Sequence, residues 1–187
     1  MREKESNIYI RKLVYAAICL ALALLLPFLT GQIPQIGSAL CPMHLPVLLC
    51  GFLCGWPWGL AVGAVSPLLR LALFGMPPVW TAIPMAFELA IYGSVAGLLY
   101  SRLPKRTSNI YLSLIAAMLA GRVVWGGVKF LISGFQATEF PFSAFLAGAF
   151  TTAVPGIIAQ IVLIPLVVLA LDRAKLTCNA PGSTVRA

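Results

Sequence analysis

The sequence predicts an all-α integral membrane protein with six transmembrane helices and both termini cytoplasmic. Three observations carry this. First, 60% of the 187 residues are hydrophobic and only 10% are charged, with a mean hydropathy of +0.97. A soluble domain of this size cannot hide that much apolar surface, whereas a membrane protein has no need to. Second, the apolar residues fall in long runs separated by short segments marked by Pro and Gly. Third, the basic residues gather in clusters beside those runs. No polar stretch is long enough for a separate soluble domain, so 1–187 reads as a single membrane domain. A formal charge of +8 raises the question of nucleic acid, but clusters that flank apolar runs point to a membrane instead.

Taken in order, the first helix covers about 10–30. Its apolar run, Leu13 to Leu29, exceeds the ~7–15 residues of a signal-peptide core, and no small-residue cleavage site follows closely. It reads as a retained helix. Residues 32–42 carry Pro34, Gly37 and Pro42 and read as a loop. The apolar stretch that follows, to Phe74, is too long for one span of ~20 residues. Trp56-Pro57-Trp58, between Gly55 and Gly59, divides it, because proline disfavours helix at its predecessor. This yields helices over 43–55 and 58–74. Met76-Pro77-Pro78 ends the third helix. A fourth covers 81–100, a fifth 109–132 and a sixth 144–171, with Pro155 and Pro165 marking kinks. Residues 134–142 read as a loop and 173–187 as a flexible tail.

Six spans place both termini on one side, and the charges agree. Arg2, Lys4, Arg11 and Lys12 precede the first helix. Arg102, Lys105 and Arg106 lie between the fourth and fifth, and Arg173, Lys175 and Arg186 follow the sixth. The loops assigned to the opposite side carry no basic residue. The positive-inside rule then makes that shared side cytoplasmic.

Five ionisable residues fall inside the helices: His44, Arg70, Glu88, Arg122 and Lys129. Charge at membrane depth is costly, so such residues line a cavity or pair with one another. The helical rise places His44, Arg70 and Lys129 near the outer ends, Glu88 about two turns in, and Arg122 deepest. Arg122 and Lys129 share a face, with Trp125 and Gly126 between them; Glu88 shares its face with Pro84 and Tyr92. These residues, with Trp125 as a wall, are the substrate-binding candidates, and the excess of cations favours an anion. Each has a structural reading beside the functional one. Lys129, Arg70 and His44 are close enough to the interface to snorkel, and Glu88 could serve only as a partner of Arg122 or Arg70. Trp56, Trp58 and Trp80 fall at helix ends, where interfacial anchoring accounts for them.

Cys41, His44, Cys50 and Cys54 lack the paired spacing of a zinc site and read as small packing residues, so no metal or other cofactor is expected. Gly51, Gly55, Gly59 and Gly63, Gly93 and Gly97, and Ala17 and Ala21 recur at every fourth position. Such faces let membrane helices approach closely. There is no P-loop, nucleophile elbow or HExxH sequence, so no catalytic activity is expected. No inverted repeat between the halves argues for a self-sufficient secondary transporter.

These features resemble the substrate-binding S components of energy-coupling factor (ECF) vitamin transporters. The resemblance runs from about Arg11 to Asp172. It rests on Ala17-x-x-x-Ala21 and on the series Pro42-Met43-His44-Leu45-Pro46-Val47-Leu48, Gly51-Phe52, Gly59, Gly63, Pro67-Leu68-Leu69-Arg70, Phe74-Gly75-Met76-Pro77-Pro78, Met85-Ala86-Phe87-Glu88-Leu89 and Tyr92-Gly93. It implies a subunit of a bacterial cell membrane importer that binds a vitamin near the outer face under a lid formed by the loop 32–42. It also implies docking through Ala17 and Ala21 onto a transmembrane coupling subunit that carries two ATPase subunits. Among the vitamins served by such proteins, pantothenate and nicotinate fit the cationic excess best. Two other classes stay open at this point: a stand-alone transporter or channel for a small organic anion, and a membrane enzyme or assembly factor acting on lipid.

Overall fold

The structure, a computed structural model, describes residues 2–29, 41–135, 141–148 and 153–174. These residues form helices α1 (Arg2–Leu29), α2 (His44–Cys54), α3 (Trp56–Phe74), α4 (Val79–Arg102), α5 (Thr107–Phe135), the short α6 (Phe142–Leu146) and α7 (Val154–Arg173). No strand occurs among them. Five helices are long and apolar enough to cross a membrane: α1 from Asn7, α3, α4, α5 and α7. The loop assigned to 32–42 lies outside the described residues except for Cys41 and Pro42, as does most of the tail beyond Arg173.

Several boundaries differ from the sequence expectation for physical reasons. α1 begins at Arg2 rather than 10, because Glu3, Lys4 and Glu5 are good helix formers and nothing before Pro27 interrupts them. The break between α2 and α3 is at Gly55, not at Trp56-Pro57-Trp58. Gly55 has φ 97° and ψ 173°, a region that essentially only glycine occupies. Pro57 then sits in the first turn of α3, where its missing N–H has no partner to lose. Gly134 and Phe135 continue α5 instead of opening a loop. The single helix expected over 144–171 is also different, with α6 at Phe142–Leu146 and the N-cap of α7 at Ala153.

α4 is the central element. It packs on α2, α3 and α5, while α1 lies against α2 and α3, and α7 against α2 and α5. Half of the α4 span is buried, against 22% for α1, which marks α1 as the peripheral helix. Because lipid is as apolar as the helix surfaces, association here depends on close packing rather than on hydrophobic burial. Glycine supplies it. A Cβ on Gly97 would come within 2.6 Å of the Trp56 backbone N, and one on Gly59 within 2.7 Å of the Gly93 carbonyl carbon. Backbone therefore meets backbone where α2, α3 and α4 join. The every-fourth-residue glycines of α2 and α3 and those of α4 are the two sides of one contact.

α2 spans only 11 residues, about 16 Å at 1.5 Å per residue. Its last residue, Cys54, donates from Sγ to the Lys12 carbonyl of α1 (3.6 Å). Its first residue, His44, therefore reaches only part-way up the bundle. Nine of its residues are buried, so its neighbours enclose this half-length helix.

Candidate functional site

Three of the five ionisable residues meet at one point. α4 presents Glu88 on the buried stripe Pro84–Glu88–Tyr92. α5 presents Arg122, and α2 presents His44 from its first turn. Arg122 Nη1 lies 3.0 Å from Glu88 Oε1, and His44 Nε2 lies 3.4 Å from the same oxygen. All three are dry: His44 and Glu88 are 2% exposed and Arg122 6%. Gly121 makes the approach possible. A Cβ there would collide with the Tyr92 ring and come within 3.1 Å of the Glu88 carbonyl. Tyr92 stands edge-on to His44, with ring centroids 5.1 Å apart. Cys41, at φ 46°, accepts the His44 backbone N–H (3.0 Å), and its Sγ lies 3.8 Å from Arg122 Nη2.

The expected position of His44 near the outer end is corrected by this geometry. Since α2 is half-length, His44 is level with Arg122 and Glu88 at mid-depth. The cluster is also less cationic than the residue list implied. Glu88 neutralises Arg122. Yet hydrogen-bonding capacity is left over. Among the described residues, Arg122 Nε and His44 Nδ1 are buried without a hydrogen-bond partner. An ion pair in a dry interior is costly unless its remaining donors are met, so the cluster is incomplete as it stands.

Arg70 and Lys129 are elsewhere. Arg70, 3% exposed, donates from Nη1 to the Leu24 carbonyl of α1 (2.6 Å) and lies over the rings of Phe28 and Phe74 (4.8 and 5.5 Å). Pro27 has no N–H to offer the neighbouring Ala23 carbonyl and loosens α1 there, so Arg70 ties α3 to α1 at a weakened turn. Lys129 Nζ lies 3.4 Å from the Trp80 carbonyl at the start of α4. Trp125 stacks on Phe145 of α6 (6.3 Å between centroids), forming a wall one turn beyond Arg122.

A cavity of about 140 Å³ opens between α5 and α7, lined by Ile115, Met118, Leu119, Arg122, Ile157 and Ile161. Its walls are apolar throughout, so Arg122 lines it with its aliphatic stem while the guanidinium faces Glu88. Gln160, between the two isoleucines in sequence, was missed by the sequence reading. Its signal was present, because it is the lone amide in the apolar run of α7. Cys19, Cys50 and Cys54 are buried together in the core between α1 and α2. Among the described residues no three His, Cys, Asp or Glu side chains are placed to hold a metal ion.

Ionisable side chains held within a bundle of apolar helices pair with one another or line a cavity, and here they do the first. A search of curated proteins finds no match to the chain. The family model described as "ECF transporter, substrate-specific component" matches residues 11–168. That match covers most of the chain and all three helices that build the cluster, and the chain accordingly belongs to the substrate-specific components of ECF transporters.

Proposed function

We propose that this chain is the high-affinity binding subunit of a bacterial ECF importer for a small vitamin carrying a carboxylate, with pantothenate and nicotinate the favoured candidates. The incomplete cluster around Arg122 carries the reading. Its unmet donor is the Arg122 Nε–H, buried beside the Glu88 ion pair. A carboxylate accepts such a bond, and bonds between ionised groups are the stronger kind. Arg122 and His44 hold the head group, Glu88 orients both of them, and Trp125 flanks it. Lys129 sits at the outer rim, and Arg70 secures α1. The lid assigned to 32–42 lies outside the described residues except for Cys41 and Pro42, and Cys41 Sγ lies 3.8 Å from Arg122 Nη2.

Transport then needs partners. A transmembrane coupling subunit and two ATPase subunits supply the energy, and α1 offers the docking face. Ala17 and Ala21 are exposed, whereas Ala16, Cys19 and Ala23 face the bundle. α2 and α3 together count as two passes, which gives six spans with both termini cytoplasmic and the basic clusters on the inner face. Mass spectrometry of the small molecule retained by the detergent-purified chain tests the substrate class. A carboxylate vitamin is expected, and a cationic or acid-free molecule overturns it. Cysteine labelling tests the topology. A Pro104→Cys variant in a cysteine-free background should resist an impermeant reagent in intact cells; ready labelling from outside would reverse the orientation.

A further inference from the structure

Gln160 is 1% exposed, and among the described residues neither its Oε1 nor its Nε2 has a hydrogen-bond partner. A buried primary amide with both ends unmet by protein groups is disfavoured unless another polar group compensates its desolvation. It lies on the buried stripe of α7 formed by Gly156, Gln160, Ile164 and Val168. The antiparallel packing of α7 on α5 fixes its height. Val168 and Ile164 share a core cluster with Ile110, Leu114 and Met118, and Ile157 and Ile161 line the cavity with Met118 and Arg122. Residue 160 is one turn, ~6 Å, beyond Ile164, which brings it to the level of Gly121 and Arg122.

We propose that Gln160 is a second ligand contact of this site, its carboxamide taking the neutral hydrogen-bonding group of the substrate while Arg122 takes the carboxylate. This rests on the carboxylate reading given above. It narrows the substrate class to small carboxylates that also bear an amide, a hydroxyl or a ring nitrogen, since a carboxamide both donates and accepts. A site built to hydrogen-bond such a group rejects analogues that lack it, because its own polar atoms are then left buried and unpaired.

The role separates from a merely structural one by the sign of two effects. Gln160→Met keeps the shape of the side chain and removes the amide. With no partner to lose in the empty protein, the variant should melt at a higher temperature than the parent when ligand-free. It should nonetheless retain less than a tenth of the small molecule that the parent carries through purification. Gln160→Leu is the second variant should Gln160→Met pack poorly. Titration with nicotinate against benzoate, and pantothenate against hexanoate, gives the complementary readout. The parent should prefer the vitamin of its pair at least tenfold, and Gln160→Met should lose that preference while binding the stripped acid unchanged. Full retention of the native molecule by both variants overturns the proposal. If the Gln160 variants are neutral while Arg122 variants lose ligand, this inference alone fails. If Arg122 variants also keep the ligand, it is the carboxylate reading that has failed.

Discussion

Arg122→Ala is expected to weaken binding of the native vitamin ten- to hundredfold. The estimate follows from losing a charge-assisted hydrogen bond, about 1.5–3 kcal/mol. The single variant has a second effect. It strands Glu88, 2% exposed, without its 3.0 Å partner, and breaking a buried pair costs about 3–5 kcal/mol of stability. Binding and folding therefore need to be separated. In the double variant Arg122→Met with Glu88→Gln no charge is left unpaired, so its melting temperature should return toward that of the parent while vitamin binding stays lost. Glu88→Gln alone should tighten binding of a carboxylate, because it takes one negative charge from beside the ligand and releases Arg122 to it. Arg70→Ala should lower stability through the α1–α3 tie and leave affinity within about threefold, well short of a lost charge-assisted bond. Isothermal titration and thermal melting in detergent measure all four. Parent-like affinity in the double variant would remove Arg122 from the binding site.

Ala17→Trp and Ala21→Trp are each expected to abolish vitamin uptake and leave vitamin binding intact. Both positions are on the exposed face of α1, away from the buried Ala16, Cys19 and Ala23. A large ring there disturbs nothing inside the bundle. It blocks a partner that must bring its backbone close to a small-residue face. Uptake into cells, paired with titration of the purified chain, distinguishes this from misfolding. Normal uptake by both variants would move the docking surface off this face. Loss of binding together with uptake would instead make the face part of the fold.

Much of the architecture is a local matter and is legible in the sequence. Apolar run length and the Pro and Gly breaks determine the all-helical class; they predict six spans, whereas five helices among the described residues are long and apolar enough to span. The depth of Glu88 and Arg122 along their own helices follows from a constant rise per residue. That Glu88 could neutralise Arg122 was open to sequence reasoning too, since one acid and several cations at membrane depth seek partners. The four-residue recurrence of glycine likewise announced close contacts, though not between which helices.

Tertiary structure decided which residues converge, because that depends on how helix faces are rotated and how far each helix reaches. Gly51 and Gly59 meet Gly93 of α4 backbone to backbone, Gly63 meets its Leu89–Ala90 backbone, and Gly97 meets Trp56; this rotation turns the Glu88 stripe toward α5. α2, only 11 residues long and joined to α3 through the positive-φ Gly55, stops part-way up the bundle. It thus carries His44 to mid-depth rather than to the outer rim. The same packing sends Arg70 to the loosened turn of α1 and leaves Lys129 against the Trp80 carbonyl. It also places Gln160 level with Arg122, a height set by the register of two helices far apart in the chain. Composition and spacing establish what kinds of groups a membrane protein buries. Only the contact between helix backbones, set here by side chains that glycine lacks, determines which of those groups share one site.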